Sequence, residues 1–256
     1  MIKNCLVFGG SAGIGKSCAK KLLEEGNKVF LFSRNKKNLV RTQNEFSKFK
    51  GKIFIFNGDI GKKNHTDKFI KEAKKKFKKI HVVVFSSGGP QLGNFDKIKQ
   101  KIWIENFNIH CLGFLNILNK TIPIFKKKKF GRIIVISSMS VKQPIAGLDL
   151  SNYFRPGLAG LCKSIATQLI KYNITINTIS PGSVLTERSK KIIYEKAKNN
   201  KISFKQGYEE SLKKIPIGRF AEPDEVGDLA NFLCSSKANY LTGGIYMIDG
   251  GKYLSI

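Results

Sequence analysis

Short apolar runs recur along this chain, and an amphipathic helical pattern fills nearly every gap between them. The runs cover 5–8, 28–32, 52–57, 81–85, 132–137, 175–180 and 244–248. They are rich in Val, Ile and Phe and almost unbroken, as strands covered on both faces must be. Helical patterns lie at 13–25, 35–48, 63–78, an interrupted stretch 97–125, 151–171, and 222–233 with Pro223 near its start. Strands separated by helices cannot pair as hairpins. They call for parallel neighbours joined by crossovers, and so for a doubly wound α/β sheet of about seven strands. At 256 residues the chain suits one such domain and is short for two, so 1–256 is expected to be a single unit. One segment breaks the rhythm. Residues 186–214 are polar, Lys-rich and without strand character, in the place where a cover over a substrate site could sit.

The first run leads straight into Gly9-Gly10-Ser11-Ala12-Gly13-Ile14-Gly15. Glycines between a strand and a helix let the backbone turn tightly and approach a pyrophosphate. The helix start adds free N–H groups and a positive dipole end. In this strand–turn–helix setting the spacing points to a dinucleotide and to a Rossmann fold. The second run ends Leu31-Phe32-Ser33-Arg34, without the acid that binds the ribose 2′-OH of NAD. A cation there suits a 2′-phosphate, so NADP(H) is favoured and NAD(H) is possible. Asp59 could bond the adenine amino group or cap the next helix, and the sequence leaves both open.

Net charge is +28, which invites a nucleic-acid role. Only six of the 46 basic residues are Arg, however, and the lysines spread over helical faces such as 74–76 and 126–129. No base-reading motif accompanies them, so no specific nucleic-acid partner is expected. No apolar run approaches the ~20 residues that span a bilayer. The N-terminus enters a strand without signal-peptide architecture, so a cytoplasmic protein without membrane attachment is expected. Five scattered cysteines lack CxxC spacing and read as reduced core thiols, and no metal is expected.

Further motifs complete a pattern: Ile136-Ser137-Ser138; Ser180-Pro181-Gly182-Ser183-Val184-x-Thr186; Pro216-x-Gly218-Arg219-Phe220-x-Glu222-Pro223-x-Glu225-Val226; and Thr242-Gly243-Gly244 followed by Asp249-Gly250-Gly251. With the glycine loop, in which Phe8 stands where a Thr is usual, they resemble the short-chain dehydrogenase/reductase family over nearly the whole chain. The C-terminal motifs look like those of 3-oxoacyl-acyl-carrier-protein reductases. The resemblance implies hydride transfer between NADP(H) and a carbonyl or alcohol, on a small-molecule or acyl-carrier-bound substrate. It also implies a homotetramer, pairing through the helix near Ser151 and the last strand. The apolar residues Leu158, Leu161, Ile165 and Leu169 line that helix, although part of this stripe must face the sheet. The implied cofactor set is Gly9, Ser11, Ala12, Gly13, Ile14, Gly15, Ser33, Arg34, Asp59, Ile60, Ser86, Gly88, Pro181, Gly182, Val184 and Thr186.

The chain departs from the family where the chemistry lies. After the fourth run it reads Phe85-Ser86-Ser87-Gly88-Gly89-Pro90 in place of Asn-Asn-Ala-Gly. The family tetrad Asn, Ser, Tyr, Lys falls by spacing on His110, Ser138, Ser151 and Arg155, so only the serine matches. Ser151 is a far weaker acid than tyrosine, and Arg155 stays cationic near neutral pH. Arg155 could still bind a nicotinamide ribose or stabilise an oxyanion. Ser138 is expected to polarise a substrate. His110 is the best titratable candidate for a proton donor, although a hydrogen-bonded interior histidine is the favoured reading. Lys142 and Tyr153 are further candidates, Tyr153 being expected to face elsewhere because two residues turn a helix by roughly 200°. An oxidoreductase is therefore expected first, with a cofactor-binding protein of little or no turnover as the rival.

Overall fold

The computed structural model describes residues 1–254; the last two residues of the expected 1–256 domain lie outside the described residues. Seven strands form one sheet: β1 (Asn4–Phe8), β2 (Lys28–Ser33), β3 (Ile53–Asn57), β4 (Val82–Phe85), β5 (Gly131–Ile136), β6 (Ile174–Pro181) and β7 (Ile245–Ile248). Their order is β3-β2-β1-β4-β5-β6-β7, and every pair is parallel. The doubly wound expectation therefore holds. The order turns back between β1 and β4, and that switch point opens a crevice at the carboxyl ends of the strands.

Nine helices occupy the described residues: α1 (Gly13–Glu24), α2 (Lys36–Glu45), α3 (Lys63–Phe77), α4 (Gln100–Phe107), α5 (Gly113–Lys128), α6 (Asp149–Leu169), α7 (Glu187–Asn199), α8 (Phe204–Leu212) and α9 (Pro223–Cys234). They make two layers, and strand periodicity sorts the core between them. On β1, Leu6 and Phe8 join the core under α3, α5 and α6. Cys5 and Val7 point the other way, into the core under α1, α2 and α9. Phe8, Phe30, Phe32, Phe56 and Phe69 form one aromatic group at the first layer, with Phe8 and Phe69 edge to face at 5.2 Å. Phe8 is thus a packing residue at the position that leads into the glycine loop.

The interrupted stretch proves to be α4, a π-helical turn over Asn108–Leu112, and α5. The wider turn carries His110 into the interior. On α6, Leu158 and Leu169 are buried against the sheet, with Leu161 and Ile165 packed beside that core. The fold accounts for Leu158 and Leu169 and leaves Leu161 and Ile165 partly buried.

The polar 186–214 segment folds as α7 and α8. Each begins with a capping box, Thr186 with Ser189 and Ser203 with Gln206, which satisfies end N–H groups that a Lys-rich sequence would otherwise leave to water. Ile193, Ile215 and Phe220 pack with Leu185, Tyr208 and Leu212 in a small core of their own. This pair of helices is therefore stabilised separately from the two layers on the sheet.

Candidate functional site

A cavity of about 730 Å³ runs along the carboxyl ends of the strands, from the α1 side to the α7–α8 pair. All sixteen residues expected to surround a cofactor line it, as do Ser138, Ser151 and Arg155; His110 does not.

One half is built from backbone. Gly9 has φ +77°, and a Cβ there would lie 1.8 Å from the Ser86 carbonyl oxygen, so only glycine allows the β1 and β4 ends to come this close. Ala12 is the N-cap of α1 and offers no side-chain cap, which leaves first-turn N–H groups open to an anion. Ser11 Oγ bonds Ser33 Oγ at 2.7 Å, joining the loop to the end of β2. Arg34 is about two-thirds exposed and lies 3.9 Å from the Asp59 carboxylate. Asp59 does not cap α3, whose N-cap is Lys62. Its Oδ1 accepts instead from the Gly61 N–H at 2.9 Å, in a turn ahead of the helix. Glycine loop, free helix start, paired serines and a mostly solvent-facing arginine form a donor set that fits a dinucleotide carrying a 2′-phosphate.

The other half is built from side chains. Ser138 ends the β5 turn, and its Oγ accepts from the Ser140 N–H at 3.3 Å, which leaves its own O–H free to donate into the cavity. Ser151, in the first turn of α6, is buried and bonds Ser140 Oγ at 2.9 Å. Asn152 clasps both backbone groups of Ile145 at 2.9 Å and so fixes the loop that brings Ile145 and Leu148 to the wall. Arg155, one turn after Ser151, donates from Nη1 to the Ile136 carbonyl at 2.6 Å and from Nη2 to the Gly88 carbonyl at 2.7 Å. It is buried, its Nε has no partner, and it forms no ion pair among the described residues. Burial, with the nearby charge of Arg188, lowers its pKa to about 10, so it remains a cation at neutral pH.

His110 takes the interior role and not that of proton donor. Its Nδ1 bonds Ser87 Oγ at 2.8 Å, and its ring stacks on Phe154 behind the cavity wall. Burial, reinforced by Arg155, Arg188 and Arg34, lowers its pKa to about 3. The imidazole is therefore neutral near pH 7 and serves the interior. Lys142 is exposed and off the cavity wall. Tyr153 is exposed too and packs edge-on against Trp103, facing elsewhere as the helical offset requires.

Among the cavity residues to which sequence assigned no role are Arg188, Lys252 and Gly89. Arg188 lies two residues past Thr186 and donates to the Pro90 carbonyl at 2.5 Å. The unusual Gly88-Gly89-Pro90 run was the available signal, because it departs from the family at the loop Arg188 touches.

A family model described as enoyl-(acyl carrier protein) reductase matches residues 9–252. The 3-oxoacyl-[acyl-carrier-protein] reductase FabG of Thermotoga maritima is 28% identical over 249 residues, 97% of each chain. The NADPH-dependent reductase BacG of Bacillus subtilis is 26% identical and covers 99% of each. Among solved structures, YwfH, an NADPH-dependent reductase involved in bacilysin biosynthesis, superposes with a TM-score of 0.94 at 25% identity over the full length of both chains. L-Sorbose reductase from Gluconobacter frateurii, complexed with NADPH and L-sorbose, gives the same score at 26% identity, over 100% of this chain and 98% of that one. Strand order, glycine cradle and full-length similarity agree: the chain belongs to the short-chain dehydrogenase/reductase family.

Proposed function

We propose that this protein is an NADP(H)-dependent oxidoreductase that interconverts a carbonyl and an alcohol. The observation that supports this most is the continuity of one cavity. The glycine loop and open start of α1 lie at one end, and Ser138, Ser151 and Arg155 lie further along the same strand ends. Arg34, Ser11 and Ser33 would hold the 2′-phosphate, the first N–H groups of α1 the pyrophosphate, and Pro181 to Thr186 the nicotinamide side. Bound there, the cofactor supplies a hydride, which together with a proton turns C=O into CH–OH.

The chain's own contribution is orientation and charge. The free Ser138 O–H donates to the substrate oxygen as negative charge develops on it. Arg155, locked by two main-chain carbonyls, keeps a fixed cation beside that end and braces the Gly88 loop. Ser151 acts as a strut to Ser140 rather than as an acid. Among the described residues the cavity lining holds no Tyr, His or Cys, so the proton is drawn from water admitted to the cavity. The helices α7 and α8 act as a cover over the substrate end. A 3-oxoacyl group on an acyl carrier is one substrate suggested by the relatives.

We also propose self-association as a homotetramer. Ile104, Phe107, Leu112 and Leu115, around α4 and α5, are exposed apolar residues that a partner copy would cover. Light scattering that returns a monomer at micromolar concentration rules this out.

The central test is NADPH oxidation, followed by loss of absorbance, against a panel of ketones, keto acids, sugars and 3-oxoacyl thioesters. NADPH binding by fluorescence is measured alongside. Turnover on any class supports the proposal. Tight binding with no turnover across the panel moves the chain to the rival role of a cofactor-binding protein.

A further inference from the structure

Among the described residues that line the cavity, six are Lys or Arg and three are Asp or Glu. Arg155 and Arg188 attach to the same loop, at the Gly88 and Pro90 carbonyls, two residues apart. Between them lies Gly89, where an added Cβ would sit 2.6 Å from Arg188 Cζ. The loop therefore lacks a side chain at the very place the Arg188 guanidinium occupies. Neither arginine has an ion-pair partner among the described residues. Glu187, next to Arg188, pairs with Lys190 instead. Arg155 is 4% exposed with an unpartnered Nε. Lys196, Lys214 and Lys252 line the same cavity, with Asp59, Glu187 and Glu210 as the acids among its described lining residues, and Glu195 lies near Arg188. Lys252 is held by Ser183 Oγ at 3.1 Å.

Cations in excess of acids on a concave wall favour an anion. Arg188 uses Nη2 on Pro90 and makes no other hydrogen bond among the described residues, so the rest of its fork is free for a carboxylate. Resting on the oxidoreductase function proposed above, we infer that Arg188, seated on Gly89 and backed by Arg155, is a carboxylate-binding subsite, so that the preferred substrate is a small carbonyl compound that itself bears a carboxylate. The cofactor pyrophosphate is the other anion within the cavity. Its cradle would be Gly9 to Gly15, where a Cβ at Gly13 would lie 3.4 Å from Thr186, whereas the Arg188 guanidinium itself is anchored at Pro90.

The test compares 2-oxo-4-phenylbutanoate with its ethyl ester as oxidants of NADPH, in the wild-type protein and in Arg188→Ala, Arg188→Lys and Gly89→Ala. The acid is expected to be preferred. Arg188→Ala should raise the KM for the acid by about tenfold or more, with the ester little changed and NADPH affinity intact. Arg188→Lys should recover part of the loss, and Gly89→Ala should reproduce it by displacing the guanidinium. Equal use of acid and ester overturns the subsite while leaving the oxidoreductase function standing. A loss of NADPH affinity in Arg188→Ala also overturns it, by assigning the arginine to the cofactor. A second arm needs no turnover: thermal shift of the NADPH complex with 4-phenylbutanoate against 4-phenylbutanamide. Arg188-dependent stabilisation by the acid alone supports the subsite even if no carbonyl is reduced, in which case only the proposed activity fails. No difference between acid and amide, together with no preference in turnover, rejects it.

Discussion

The two halves of the cavity are built on opposite plans. The glycine-loop half uses main-chain N–H groups, small residues and a helix start, and it forms as soon as β1 hands over to α1. The half beneath α7 and α8 uses side chains brought from β4, β5, α6 and α7, which lie far apart in the chain. A backbone site tolerates little change, because its geometry is the fold. A side-chain site can exchange its groups while the strands beneath stay put. That difference is why serine and arginine can stand at the positions that the family resemblance gives to tyrosine and lysine without disturbing the sheet.

The sharpest way to break this contrast is at Gly9. Gly9→Ala puts a Cβ 1.8 Å from Ser86 O at φ +77°. We expect loss of measurable NADPH binding or of soluble protein, read by fluorescence titration and circular dichroism. A variant that binds normally would mean the loop is not set by backbone approach. In the other half, Ser138→Ala should lower kcat by about 10²–10³-fold, the usual effect of removing one donor to a developing oxyanion. Ser151→Ala should leave most of the activity, since its hydroxyl bonds Ser140. The reverse ranking in steady-state kinetics would make Ser151 the reacting group.

The next effect concerns stability. The unfolded chain protonates His110 near pH 6.5, whereas the folded protein holds it neutral down to about pH 3. Between those values the unfolded state binds more protons, so stability is full above pH 6.5 and falls as pH drops toward 3. The His110 share is at most about 1.4 kcal/mol per pH unit. His81, also lowered by burial, adds in the same direction. Urea melts at pH 7 and pH 5 should show a smaller acid loss in His110→Gln than in wild type, and turnover near pH 7 should not gain a new pH dependence. Parallel losses in both proteins would mean that His110 is charged in the fold.

Smaller still is Arg34→Ala, which should weaken NADPH by roughly tenfold and leave NADH nearly unchanged, because the side chain is mostly exposed and screened. Equal losses would remove Arg34 from the 2′-phosphate. Lys142→Ala should change neither kcat nor KM, since the side chain is exposed and off the cavity wall.

Seven apolar runs and the helical patterns between them carried the sheet, its parallel sense and every strand boundary to within a residue, though not α7 and α8, because strand burial and helix amphipathicity are local periodicities. That the sixteen expected residues share one cavity was legible for the same reason: a strand–glycine–helix turn is local, and its neighbours sit at fixed strand ends. Arg34 could be placed from its position at the end of β2 alone. What sequence could not decide was the charge state and direction of long-range side chains. His110 was a plausible acid until the π-helical turn buried it against Ser87 and Phe154, where desolvation keeps the imidazole neutral. Arg188 carried no motif, and its approach to Pro90, 98 residues away in sequence, depends on the missing side chain at Gly89. Local pattern determines which backbone forms. Only the packed structure determines which charges face a common space, because that depends on burial and on contacts between distant segments.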